Sequence, residues 1–172
     1  MAAVVEQFSA RSHARIHALR LLYQREITGG DIEDIIEPVD SACAETCHER
    51  ACCEYRAFFA QYPTTPDAYT RDIVRGVIAQ EDEIDALLDA TSEHWPISRM
   101  PVVDRNIARI AIWELLRAHP EVPSSVAIHE AVNIAKEYGG DDSALFINGV
   151  LGEIDRAVEG GATNRTTERG TS

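Results

Sequence analysis

At 172 residues, 45% of them hydrophobic, the chain is long enough to bury a real core, as one domain or two small packed halves. No apolar run approaches the roughly 20 residues of a membrane span, and the opening MAAVVEQFSARSHAR lacks the basic and apolar regions of an export signal, so a cytoplasmic protein without membrane contact is expected. A net charge of −13 argues against general affinity for phosphates, which needs concentrated cationic charge, yet Arg11, Arg15, Arg20 and Arg25 with His13 and His17 form one basic segment before the first following acid, Glu26.

After a flexible start over 1–8, residues 10–27 read as a helix. Ile16, Leu19, Tyr23 and Ile27 recur at three- and four-residue steps, and Ala14, Ala18, Leu21 and Leu22 make most of the remaining circumference apolar. Only His13, His17, Arg20 and Gln24 form a polar stripe, so this helix is expected at the centre of a bundle, with Arg11 and Arg15 at its entrance. "TGGD" at 28–31 ends it, and Asp31 can cap a short turn to Ile36.

A second helix is expected over 40–62. It holds the four cysteines, Cys43, Cys47, Cys52 and Cys53, beside His48. Zinc sites usually draw on two separated ligand pairs, so these thiols read as packing residues and no metal is expected. Asp67 caps a third helix whose face carries Tyr69, Ile73, Val77, Ile84, Leu87 and Leu88. "SEHWPISRMP" is a connector between two helical subdomains, 9–92 and 97–159. Pro101 suits a helix start, and Val103, Ile107, Ile110, Ala111, Trp113 and Leu115 continue that helix to about Ala118. Val126 to Glu137 forms the next. Gly139 and Gly140 stop it, and Asp141 or Asp142 caps a last helix to about Val158, followed by a disordered tail over 160–172. No apolar alternation at period two is sustained, so the fold is expected to be all-α, with about seven helices in two packed subdomains.

Enzyme signatures are missing: there is no Gly-rich phosphate loop, no G-x-S-x-G and no C-x-x-C. His129-Glu130 begins an H-E-x-x-H pattern that fails at Asn133, and the acidic clusters read as caps and solvated faces. Neither catalysis nor a cofactor is expected. The stretch "EYGGDDSALFINGVLGEID" at 137–155 is harder to assign to packing alone. Its glycines permit left-handed backbone and close approach. Asp142 and Ser143 open a helix whose N–H groups can meet a phosphate or a backbone. Asp142 can also accept from base amino groups, and Tyr138 and Phe146 can offer stacking faces; core packing is the competing role for Phe146.

The series "ARSHARIHALRLLYQREI", "RDIVRGV", "VDRNIARIAIWELL" and "VPSSVAIHEAVNIAKEYGGDDSALFINGVLGEID" resembles the NusB family of transcription antitermination factors along all but the termini. The resemblance implies a non-catalytic protein that binds boxA-type single-stranded RNA together with the ribosomal protein NusE. Such proteins help RNA polymerase read through terminators in ribosomal RNA operons, as part of an antitermination complex. It places RNA contacts on Arg11, His13, Arg15, Tyr138, Asp142, Ser143 and Phe146, and partner contacts on Tyr23 and Asp104, with Arg105 and Arg109 adjacent. The break at Gly139-Gly140 would then let RNA meet a helix start, an acceptor and aromatic faces beside the arginine-bearing first helix, and Asn148 and Gly149 would let the last helix approach its neighbours closely.

Three departures stand out. Two basic positions of the family's start are Ser12 and His13 here, which implies weaker RNA binding or more dependence on NusE and on pH below about 6.5. His129 stands where asparagine is common, and the 40–66 segment is long. A NusB-like domain fused to an RNA methyltransferase is the runner-up among RNA-binding readings, but it calls for a further methyl-donor domain of some 250 residues. An adaptor that docks a basic ribosomal protein with little RNA contact is the alternative of another class, motivated by the acidity of the chain.

Overall fold

The computed structural model describes residues 10–36, 65–92, 95–117 and 122–167. The described residues form seven α-helices and one 3₁₀ turn, with no strand among them. The order is α1 (Ala10–Thr28), α2 (Ile32–Ile36), α3 (Ala68–Ala79), α4 (Glu81–Thr91), the turn Ile97–Arg99, α5 (Val102–Arg117), α6 (Ser124–Tyr138) and α7 (Ser143–Thr167). The all-α expectation is met. The cysteine-bearing helix expected over 40–62 lies outside the described residues.

By its internal contacts the chain separates into two compact units, Met1–Val74 and Arg75–Ser172. The division falls inside α3, whereas the length of the connector places it between 92 and 97. The physical reason is α4: Ile84 and Leu88 are buried on its inner face, and the helix packs against α5 and α7. A connector rich in turn residues is therefore not where packing changes.

In the first unit α1 packs on α2 and buries Ala14, Ile16, Ala18, Leu19, Leu21 and Leu22. His17 is buried with them, so the polar stripe is narrower than its spacing implied. Ile27 is 60% exposed and belongs to no core, since it falls in the last turn of the helix. Gly29 ends α1 at φ 67°, a left-handed position where a side chain would be strained, and its N–H bonds to the Arg25 carbonyl at 2.8 Å. Asp31 caps α2 by accepting the Glu33 N–H at 2.9 Å. Asp67 caps α3 by accepting the Thr70 N–H at 2.7 Å. Both caps follow the sequence reading. The Thr70 hydroxyl then reaches the Ala14 carbonyl of α1 at 3.3 Å.

The helix expected to carry one apolar face from Tyr69 to Leu88 is interrupted at Gln80, where φ −118° and ψ 18° depart from helical values. Glu81, Asp82 and Glu83 follow at once in the first turn of α4. Three carboxylates are unfavourable in the middle of a helix and favourable at its positive N-terminal end, which is where the break puts them. In the second unit α5, α6 and α7 pack mutually. They bury Ile107, Ala111, Ile112 and Leu115 from α5, Ala127, Ala131 and Ile134 from α6, and Ile147, Leu151 and Ile154 from α7. α7 continues to Thr167, beyond the end near Val158 that its apolar pattern marks. Apolar periodicity reports which turns are buried, whereas the i to i−4 ladder continues without an apolar face. Among the described residues no helix is long and apolar enough to cross a membrane.

Candidate nucleic-acid interface

In the second unit the helical break of residues 138–143 is held by close contacts. α6 ends at Gly139, which is extended at φ −89° and ψ −177°. A left-handed glycine is not what the turn uses. A Cβ at Gly139 would lie 2.5 Å from the Ser143 Cβ and 2.7 Å from the Ala135 carbonyl oxygen, so glycine is required there by proximity. The Ser143 hydroxyl accepts the Gly140 N–H at 2.7 Å and donates to Asp104 Oδ2 of α5 at 2.8 Å. Ser143 is buried, so its hydroxyl is spent on holding the turn. Asp142 is exposed, and its carbonyl accepts the Phe146 N–H at 3.0 Å, which makes it the N-cap position of α7. The following amides, Ala144 and Leu145, have no acceptor within the helix, as at any helix start.

Tyr138 is half-buried. Phe146 is half-buried against Trp95, with ring centroids 5.2 Å apart and planes at 51°. The Trp95 indole N–H donates to the Arg99 carbonyl at 3.1 Å, which fixes the ring beside the turn. Packing and a partly open aromatic face are thus both realised at Phe146. Trp95 was missed by sequence reading; a tryptophan in a polar connector was the available signal. Gly149, expected to allow close helix packing, has nothing within 4 Å of its Cβ position, because Asn148 and Gly149 lie on the exposed side of α7.

The first unit carries the basic entrance. The Arg11 guanidinium lies over the Tyr69 ring of α3 at 5.4 Å from its centroid, and that of Arg15 at 5.9 Å. Arg11 and His13 are half-buried, whereas Arg15 is 2% exposed. Arg15 is therefore chiefly an internal cation. Tyr69, read from sequence only as a core residue, orients both arginines. His17 is held below its ordinary pKa of 6.5, first by burial and then by Arg20, with Asp67 opposing them.

Tyr23, the first of the expected partner contacts, is half-buried on α1. The other three lie on α5 in the second unit, and their side chains are engaged within the chain. Arg109 donates to both carboxylate oxygens of Asp85, at 2.7 and 2.6 Å, and lies 3.2 Å from Glu81, tying α5 to α4. Arg105 donates to the carbonyls of Ile97 at 2.9 Å and Met100 at 3.3 Å, holding the connector. Asp104 is 2% exposed and faces Ser143 rather than solvent. Its other oxygen, Oδ1, is buried and accepts no hydrogen bond among the described residues. Burial raises its pKa from the usual 3.8, and the Ser143 hydrogen bond offsets part of that rise. Sequence alone shows charge and spacing on one face of a helix; it does not show that neighbouring elements have already claimed the charges.

Residues 12–156 match the model of the NusB family. The transcription antitermination protein NusB of Nocardioides sp. is 39% identical over 148 residues, covering 86% of this chain and 95% of its own length. That of Clavibacter sepedonicus is 40% identical over 154 residues, covering 87% and 98%. Among solved structures, T. maritima NusB superposes with a TM-score of 0.64 at 30% identity, covering 86% of this chain and 92% of that one. The NusB of a complex of antitermination factors NusB and NusE with dsRNA shares the fold at a TM-score of 0.61 and 23% identity, covering 86% and 96%. With its helices, its closing segment and the full span of its relatives in agreement, the chain belongs to the NusB family.

Proposed function

We propose that this protein is a non-catalytic, cytoplasmic transcription antitermination factor. It binds boxA-type single-stranded RNA together with the ribosomal protein NusE, and so promotes readthrough of ribosomal RNA operons within an RNA polymerase complex. The observation that carries the proposal is the turn at 138–146. A glycine that admits no side chain, an exposed Asp142 at a helix start and a half-open Phe146 on Trp95 leave a polar acceptor and an aromatic face on the surface of the second unit. That chemistry suits unpaired bases better than bare phosphate, because a carboxylate repels phosphate and accepts from base amino groups. In the first unit, Arg11 and His13 are proposed as separate cationic contacts for the RNA backbone, with Arg15 buried beside them. A protein of the same fold is found with NusE and dsRNA, which supports the two coarse partner classes, RNA and NusE, and not the single-stranded form. Tyr23 on α1 and, in the other unit, Asp104, Arg105 and Arg109 on α5 are the proposed contacts for NusE, each taken by itself.

Fluorescence anisotropy with a labelled boxA-like RNA, with and without NusE, against a scrambled RNA of the same length tests the proposal. Preferential binding of the boxA-like strand, tightened by NusE, is expected. Equal affinity for both strands under both conditions would falsify it. The adaptor reading, favoured by the net charge of −13, instead predicts tight NusE binding with no RNA preference.

A further inference from the structure

The hydrogen bonds of Ser143 join three helices at one point. Its hydroxyl has a single proton, donated to Asp104 Oδ2 on α5. It accepts the Gly140 N–H from the segment that leaves α6, and Ser143 itself is the first residue of α7. Gly139 allows the approach, since any larger residue would collide with Ser143. A serine hydroxyl left to itself rotates among three staggered positions, and only one of them aims the proton at Asp104. With Asp104 as a buried acceptor the rotor is fixed, and a lone pair is presented to the Gly140 amide. The turn conformation that exposes Asp142 then follows from a carboxylate 38 residues earlier in the chain.

We infer that Asp104 is a positioning residue for RNA: it latches the 138–143 turn to α5 through Ser143, and so sets the placement of Asp142 and the start of α7. The inference rests on the functional reading above and differs from it in one respect. Asp104, which the family resemblance puts on the partner side, acts here on the RNA side and does so without NusE. A neutral apolar residue would fill the same buried volume at lower desolvation cost. What it would not supply is the acceptor that orients Ser143.

The test is RNA binding by the full chain in the absence of NusE, with Asp104→Ala, Ser143→Ala, the double variant and Asp104→Asn compared with wild type. Urea unfolding accompanies each variant to establish that it is folded. Asp104→Ala and Ser143→Ala are each expected to lower affinity for the boxA-like RNA about tenfold, the scale of one lost buried hydrogen bond. The double variant should be no weaker than the weaker single, because both remove the same link. Asp104→Asn retains an oxygen acceptor and is expected to recover most of the affinity, whereas a residue needed only for its charge toward NusE would leave RNA binding unchanged in every variant when NusE is absent. Hydrogen exchange at the Gly140 amide should quicken in Asp104→Ala ahead of the surrounding helices. Wild-type RNA affinity in a folded Asp104→Ala, or losses that multiply in the double variant, would overturn the latch while leaving the functional reading intact. Failure of the wild type to prefer the boxA-like strand is the separate failure of that reading, and it removes the RNA role of the latch as well.

Discussion

Arg11 and Arg15 stand one helical turn apart and share the Tyr69 ring, yet their exposures assign them different work. The half-buried Arg11 can still reach a phosphate, whereas the buried Arg15 guanidinium stabilises the junction of α1 and α3. Arg11→Ala is therefore expected to weaken RNA binding and to flatten the salt dependence by about 0.7 in log–log slope, the contribution of one single-strand phosphate contact. Arg15→Ala should in addition lower the urea midpoint, with a loss of about 1–2 kcal/mol for the desolvated cation–π contact. Salt titrations and urea curves on both variants check this, and an unchanged slope in Arg11→Ala would remove it from the phosphate contacts. Asp142→Ala belongs to the opposite case: its base preference should change while its salt slope does not fall. The identity and spacing of the arginines were legible in the chain. Their partner Tyr69, more than fifty residues away, was not, because a ring beneath two guanidinium groups is created only when α3 meets α1.

At the scale of elements, the close approach of the last turn of α3 to Trp113 turns on Gly76. A glycine inside a helix costs about 1 kcal/mol relative to alanine, so propensity alone predicts that Gly76→Ala stabilises the protein. The packing says otherwise: a Cβ at Gly76 would fall within the Trp113 indole, whose ring also carries the Arg117 guanidinium at 5.0 Å from its centroid. Overpacking of this kind costs about 1–3 kcal/mol or more and outweighs the propensity gain. Gly76→Ala is thus expected to lower stability by about 2 kcal/mol, roughly 4–8 °C in Tm for a chain of this size, as read by urea and thermal unfolding. A more stable variant would mean that Trp113 moves aside freely. Helix positions were readable here because burial repeats at 3.6 residues. The break at Gln80 was hidden, because the apolar face from Tyr69 to Leu88 continues through it.

For the whole molecule, the balance between folded and unfolded chains carries a pH dependence set by buried titratable groups. His17 has a folded-state pKa below 6.5, owing first to burial and then to Arg20. Between 6.5 and that lower value the unfolded chain binds the proton more readily, so stability present above pH 6.5 is lost as the pH falls. Asp104 acts in the opposite sense. Its raised pKa lets the folded state hold a proton the unfolded chain releases, so its contribution grows as the pH falls through the raised value toward 3.8. Urea midpoints are expected to drop between pH 7.5 and 5.5, and His17→Gln should flatten that drop; an equal drop in both proteins would exclude His17 as its source. The sequence by itself determined the helical class, the caps at Asp31 and Asp67 and the family, because each is written in local periodicity, capping residues and ordered motifs. Only the tertiary structure decided that Asp104 faces Ser143, that Arg109 is committed to Asp85 and Glu81, and that Trp95 backs Phe146. These pairings join residues far apart in the chain, and which charges stay open to RNA or a partner depends on which ones the packed helices have already used.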